Sequence, residues 1–139
     1  MDSLAGHVAP LADPADSPKL KVVKESFRAF VEEGIEASME ALLRHSHEGT
    51  EFRPYSASGR VLRGAGELRE FFNAQAADGT EVSLRLGDIW ERGDEVVASG
   101  SLRLRRPTGG FAESQVCWIY RFREDGLLDE AHWGPRSES

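Results

Sequence analysis

The chain has 139 residues with 24 acidic against 17 basic side chains, a net charge of −7, and 40% of it is hydrophobic. This is the make-up of one globular domain with its own core, and the acidic balance excludes the basic footprint that a nucleic-acid binder needs to release phosphate counterions. A single cysteine, Cys117, excludes an internal disulfide, and no apolar run nears the roughly 20 residues of a membrane span.

The N-terminal stretch "MDSLAGHVAPLADPADSP" is acidic, alanine-rich and interrupted by proline. It lacks the basic-then-apolar layout of a leader, so residues 1–17 are expected to form a flexible tail on a cytoplasmic protein. A single domain is expected over residues 18–135, with a short C-terminal tail at 136–139. Ser17-Pro18 opens a helix, a capping side chain followed by proline at the first helical position. Leu20, Val23, Phe27, Phe30 and Val31 recur at helical spacing until Gly34 stops the run. A second helix, 35–47, carries Ile35, Met39, Leu42 and Leu43 on one stripe. After the connection "EFRPYSASGRVLRG", Ala65, Leu68, Phe71 and Phe72 predict a third helix over 65–77.

From there the period changes from 3.6 to 2. Val82, Leu84 and Leu86 alternate with polar partners, and Gly87-Asp88 predicts a bulge before Ile89-Trp90. The turns "ERGDE", "RPTGG" and "EDG" then separate a strand over 96–105, a strand over 111–123 and a last short strand ending at Trp133. Helices followed by antiparallel strands predict an α+β fold, with the helices on one face of a curved sheet. Val96, Ala98, Gly100, Leu102 and Leu104 share one face with Val116, Trp118, Tyr120 and Phe122. The opposite face carries Val97, Ser99, Ser101, Gln115, Cys117 and Ile119.

Two helices, then "TEFRPYSASGRVLRGAGELREFF", then "IYRFREDGLLDEAHW" resemble the nuclear transport factor 2-like superfamily and, within it, the SnoaL-like group. The resemblance spans about residues 18–135. It implies a cone, a bent and mostly antiparallel mixed sheet wrapped around the helices, with a pocket at its open end. Members include ketosteroid isomerases, polyketide cyclases, dehydratases, epoxide hydrolases and non-catalytic binding proteins, so the fold selects no reaction. The isomerase pattern fails in this chain. Arg53 stands before Pro54 where those enzymes keep an aspartate, Trp118 stands where they keep an acid, and no tyrosine falls near Ser26-Phe27. The epoxide-hydrolase pattern fails as well, because Ser101 and Arg105 flank Arg103 without an acid. The cyclase pattern leaves His132 without an assigned aspartate.

The candidate site residues divide by chemistry. Glu51, Arg53 and Tyr55 alternate and share one face of an extended segment. The resemblance implies a place for them at the cone mouth, where Arg53 and Tyr55 would bind a polar group. Glu51 and His132 are the candidate acid/base residues. His132 and Trp133 are adjacent on a strand, so one of them alone can face the pocket. Trp118, Tyr120 and Trp133 are expected to give it aromatic walls suited to a small hydrophobic or aromatic ligand. His45 and His47 are expected at the C-terminus of the second helix, where they lack the further ligands of a metal site. No metal and no cofactor is expected. Gln115, Cys117 and Ile119 form an uncharged centre within a charged rim, the anatomy of a homodimer interface. The sequence therefore predicts a small-molecule-binding protein, with cofactor-independent isomerase, cyclase or lyase chemistry if catalytic, or else a non-catalytic dimeric binding module.

Overall fold

The computed structural model describes residues 13–53, 61–77, 79 and 81–135. Three helices and six strands follow in the order α1 (Pro18–Glu33), α2 (Ile35–Leu43), β1 (Ser46–Arg53), β2 (Leu62–Arg63), α3 (Gly64–Ala77), β3 (Glu81–Arg92), β4 (Glu95–Arg105), β5 (Phe111–Phe122) and β6 (Leu128–Pro135). The strands form one sheet in the order β2-β1-β6-β5-β4-β3. Every pairing is antiparallel except β1 with β6. This is the expected α+β architecture of helices on a mixed sheet.

The helix boundaries follow from local chemistry. Ser17 Oγ accepts from the Leu20 amide at 3.2 Å, and Pro18 occupies the first turn, where its missing N–H is not needed. Gly34 (φ 110°) ends α1, donating to the Ala29 and Phe30 carbonyls, and α2 restarts directly from it. Asp16 pairs with Lys24 at 2.9 Å, so the last residues of the expected tail fold back onto α1. Residues 1–12 and 136–139, the remainder of the two expected tails, lie outside the described residues.

The second helix is shorter than its spacing predicts. It ends at Leu43, and the polar run from Ser46 is a strand rather than a helical turn. Thr50 explains this: its buried hydroxyl donates to the Leu128 carbonyl at 2.6 Å and accepts from the His47 amide at 2.9 Å. The Leu128 amide donates to the His45 carbonyl at 2.7 Å. These bonds reach a segment almost eighty residues away, a signal that no local periodicity carries. His47 is therefore a strand residue and His45 lies in the turn before it, not on a helix C-terminus.

The faces of the two central strands follow the alternation of their side chains, although Val97 and Ser101 on the outer side are buried as well. Val96, Ala98, Val116, Trp118, Tyr120 and Phe122 are buried against the helices, while Cys117 and Ile119 lie on the other side. Phe27 of α1 packs edge-on against Trp118 (centroids 5.2 Å, 81°) and Tyr120 (6.3 Å, 87°), which fixes α1 over β5. Glu40 and Arg69 form an exposed two-point pair, 2.8 Å at each contact, that ties α2 to α3. The expected bulge is present, the β3–β4 register shifting between Leu86 and Asp88. Gly100 faces it from β4, and a Cβ there would run into the Arg85 carbonyl. A bulge bends its strand and raises the local twist, and here it lies where the outer strands must curl over the helices.

Gly100→Ala is thus expected to destabilise the domain by about 2–3 kcal/mol, because backbone rather than a flexible side chain must yield. Thermal unfolding checks it, with a midpoint lowered by roughly 10 °C. A midpoint within a degree or two of the parent would show that the bulge adapts freely.

Candidate functional site

The inward side chains of β5 grow along the strand: Ala112, Ser114, Val116, then Trp118, Tyr120 and Phe122. The large rings fill the space beneath α1 at one end. At the other end the small ones leave the sheet and the helices apart. A cavity of about 370 Å³ results, within the range of small-molecule sites. Helices α1 and α2 wall it with Phe27, Phe30, Ile35, Met39 and Leu42, α3 with Leu68 and Phe72, and β3 and β4 with Val82, Leu84, Leu102 and Leu104. Trp118 and Tyr120 of β5 and Trp133 of β6 complete it.

The polar groups on this wall are few. Ser26 and Ser38 face each other across α1 and α2 with their hydroxyls 2.9 Å apart, and so satisfy one another. Ser114 and Arg106 stand at the end where β4 and β5 meet in their turn. Tyr120 is the most informative of the set. It is buried, and its phenol oxygen accepts from Trp133 Nε1 at 3.3 Å. Among the described residues its own O–H has no acceptor, so it is a donor presented to the cavity. Burial pushes this phenol well above its ordinary value, and the smaller effect of the Trp133 hydrogen bond lowers it only in part. Tyr120 is therefore neutral over the whole ordinary pH range.

The sequence-predicted residues fall into two groups. Trp118, Tyr120 and Trp133 are brought together on the cavity wall. Trp133 faces inward, and His132, exposed, faces outward in register with Ile119. Glu51 and Arg53 also lie outside the cavity. Phe52 between them is fully buried, and strand alternation sends its neighbours to the outer face. Tyr55 lies outside the described residues.

On that outer face Glu51 and Arg53 have a different role. Parallel pairing sets Glu51 opposite Glu130, a like-charged pair. Arg53 lies between them, 3.3 Å from Glu51 and 2.8 Å from Glu130. Arg63 meets Glu51 from β2 at 3.3 Å, and Arg121 meets Glu130 at 2.7 Å and Asp129 at 3.0 Å. His47 Nε2 lies 3.1 Å from Asp129 while its Nδ1 accepts from the Gly49 amide at 3.0 Å. The Arg121 hydrogen bond, followed by that of His47, holds the Asp129 carboxyl below the usual range. This partly exposed chain of charges contributes little per pair. It cancels repulsion that the strand order creates. Among the described residues, no group of His, Cys, Asp and Glu is arranged to hold a metal ion.

Arg106 and Ser38 are cavity residues that sequence reasoning did not single out, and Ser26 and Phe72, placed there only as helix positions, line the cavity too. Arg106 had one signal: it continues the inward row of Leu102 and Leu104 into what reads as a turn.

A family model of the SnoaL-like domain matches residues 23–131. The chain belongs to the SnoaL-like family. No curated protein matches it by sequence. Among solved structures, this SnoaL-like domain is similar to an NTF2-like protein from Burkholderia pseudomallei, with 20% identity, 87% of this chain and 92% of that one covered, and a TM-score of 0.71. It is similar to TerC, co-crystallised with polyporic acid, with 20% identity, 86% and 92% covered, and a TM-score of 0.70. A Mycobacterium tuberculosis protein in complex with estradiol-17beta-hemisuccinate matches with 19% identity, 85% and 93% covered, and a TM-score of 0.64. At these identities the likeness is one of fold. No helix among the described residues is long and apolar enough to cross a membrane.

The raised Tyr120 phenol gives a signed pH dependence. Its contribution is constant below about pH 10, the value of an unperturbed phenol, and is lost above it, because the unfolded chain ionises first. Wild type should therefore lose stability between about pH 10 and 11.5 more steeply than Tyr120→Phe. Thermal melts across that range check this. Parallel curves would show that the phenol is hydrated and free to ionise.

Proposed function

We propose that this SnoaL-like domain is a binding protein for a small apolar ring compound, held in the cavity with a hydrogen-bond acceptor against Tyr120. The observation that carries this reading is the phenol O–H, buried on an apolar wall with no acceptor among the described residues. Such a donor favours a ligand that brings one. The Trp133 N–H, donating to the same oxygen, polarises the phenol and strengthens it as a donor. Phe27, Phe72, Trp118 and Trp133 offer ring faces and edges to a flat partner. Two proteins of the same fold, TerC and the M. tuberculosis protein, hold ring compounds, polyporic acid and estradiol-17beta-hemisuccinate.

Binding without proton abstraction suits this wall better than catalysis. Isomerase, cyclase or lyase chemistry without a cofactor needs a general base. Among the described lining residues there is no carboxylate, imidazole, thiol or amine. Glu51 and His132, the candidates for that role, lie on the outer face, and neutral Tyr120 can donate but not accept a proton from carbon.

A matched pair of flat compounds tests the reading. Fluorenone carries a carbonyl and fluorene does not, and quenching of the wall tryptophans reports binding of either. Wild type should favour fluorenone by about fivefold, the worth of one net hydrogen bond, and Tyr120→Phe should abolish the preference while leaving fluorene unchanged. A preference that persists in Tyr120→Phe would remove the phenol from the site.

We further propose that two copies pair through the outer sheet face. Register places Trp90, Val97, Ile119 and His132 in one row across four strands. Trp90 remains 42% exposed beside a buried Val97. Gln115 and Cys117 continue the uncharged patch, and two of the rim arginines are already paired, Arg103 with Glu113 and Arg121 with Asp129, each at 3.0 Å. Two copies of one patch close as a twofold dimer. Ile119→Glu should convert a dimeric light-scattering mass to a monomeric one, and a wild type already monomeric at about 50 μM, well above the Kd of a stable pair, removes the interface.

A further inference from the structure

Ion pairing on this domain is concentrated on the outer face. On the outer face Arg53, Arg63, Arg103 and Arg121 each meet a carboxylate. At the cavity there is one charged lining residue among those described, Arg106. It lies just past the end of β4, two residues beyond Leu104, so it extends the inward row of Leu102 and Leu104. Its backbone is held on both sides of the turn: its N–H donates to the Gly110 carbonyl at 2.8 Å, and its carbonyl accepts from the Gly109 N–H at 3.0 Å. Its guanidinium, by contrast, makes no ion pair or hydrogen bond among the described residues. The β5 side chains at this end are Ala112 and Ser114, small enough to leave room beside it and, in Ser114, a second donor.

A fork of donors beside an apolar cavity, with no carboxylate among the described lining residues, is matched by an organic anion. From this geometry we infer that the ligand is an anion: a ring body within the cavity and a carboxylate, sulfonate or phenolate group paired with Arg106 at its mouth. The inference rests on the reading of the cavity as a ligand site and adds a specificity-determining residue to it. A guanidinium pairs two oxygens at once and stays charged at any accessible pH. It acts here against the general field of the protein, since a net charge of −7 repels anions. The selection must therefore be local, and this separates Arg106 from its neighbour. Both arginines are exposed, but Arg105, one residue away, falls on the outer side by strand alternation and does not line the cavity.

Two probes that share an anilinonaphthalene body test this. 1-Anilinonaphthalene-8-sulfonate is anionic, and N-phenyl-1-naphthylamine is neutral. Fluorescence titration of the full chain should show Arg106→Gln weakening the sulfonate probe about tenfold, in the range of one charge-assisted hydrogen bond, with the neutral probe unchanged. Arg105→Gln removes the same charge and should leave both probes unchanged, and Arg106→Lys should recover part of the loss. Added salt should weaken the sulfonate probe in wild type more than in Arg106→Gln. Equal loss of both probes in Arg106→Gln would assign Arg106 an apolar packing role and overturn the inference. Equal loss of the sulfonate probe in Arg105→Gln and Arg106→Gln would overturn it too, by showing only a general field. If neither probe binds wild type, the cavity reading itself fails. If the neutral probe binds and the sulfonate probe is indifferent to Arg106, the cavity reading stands and the anion does not.

Discussion

The size gradient along the inner face of β5 constrains the rest of the molecule. Side chains that grow from Ala112 to Tyr120 cannot fill a layer of even thickness between a sheet and its helices. Where Trp118 and Tyr120 meet Phe27, packing is dense and α1 is fixed. Where Ala112 and Ser114 line the sheet, the inner side chains are small and the cavity opens. The curl of β3 and β4 near Gly87 and Gly100 then decides how far the outer strands reach over the gap. The pocket is thus not cut into a finished core. It is the unfilled half of one.

Electrostatics follow from the same layering. Burying Phe52 on the inside commits Glu51 and Arg53 to the outside, and the parallel approach of β1 to β6 then brings Glu51 against Glu130. Arg53, Arg63 and Arg121 answer that repulsion, so nearby charge on the outer face is matched within a few ångströms. Nothing comparable occurs inside. The described cavity wall carries one guanidinium and one phenol whose donors find no acceptor among the described residues.

Much of this was legible in the sequence because it is local. The Ser17-Pro18 start, the Gly34 break, the Gly87-Asp88 bulge and the alternation of Val116, Trp118, Tyr120 and Phe122 each depend on neighbours within a turn or a strand. The inward facing of Trp133 needed the register with Trp118. Strand β1 was hidden because its content, Ser46 to Arg53, is mostly polar and its partner is sequentially remote. Thr50, not an apolar side chain, docks it. The side on which Glu51 and Arg53 fall then hinged on one buried phenylalanine. Arg106 was missed for a different reason: a charged residue at the edge of a turn reads as solvated surface, and only the parity of Leu102 and Leu104 betrays it.

A donor left open in a core also links stability to occupancy. The Tyr120 hydroxyl already accepts from Trp133, so its oxygen is satisfied, but among the described residues its O–H has no acceptor, and a group that enters the cavity can supply one. A lone water is a poor candidate, since a well-held internal water needs about three polar partners and the wall around Tyr120 is aromatic. A ring compound with one oxygen in the right place supplies the acceptor and covers apolar wall at once. Binding of this kind raises the stability of the folded state in proportion to ligand excess. On the proposed reading, the same phenol would serve the core weakly with the cavity empty and well with it filled, so stability and occupancy would be coupled through one hydroxyl.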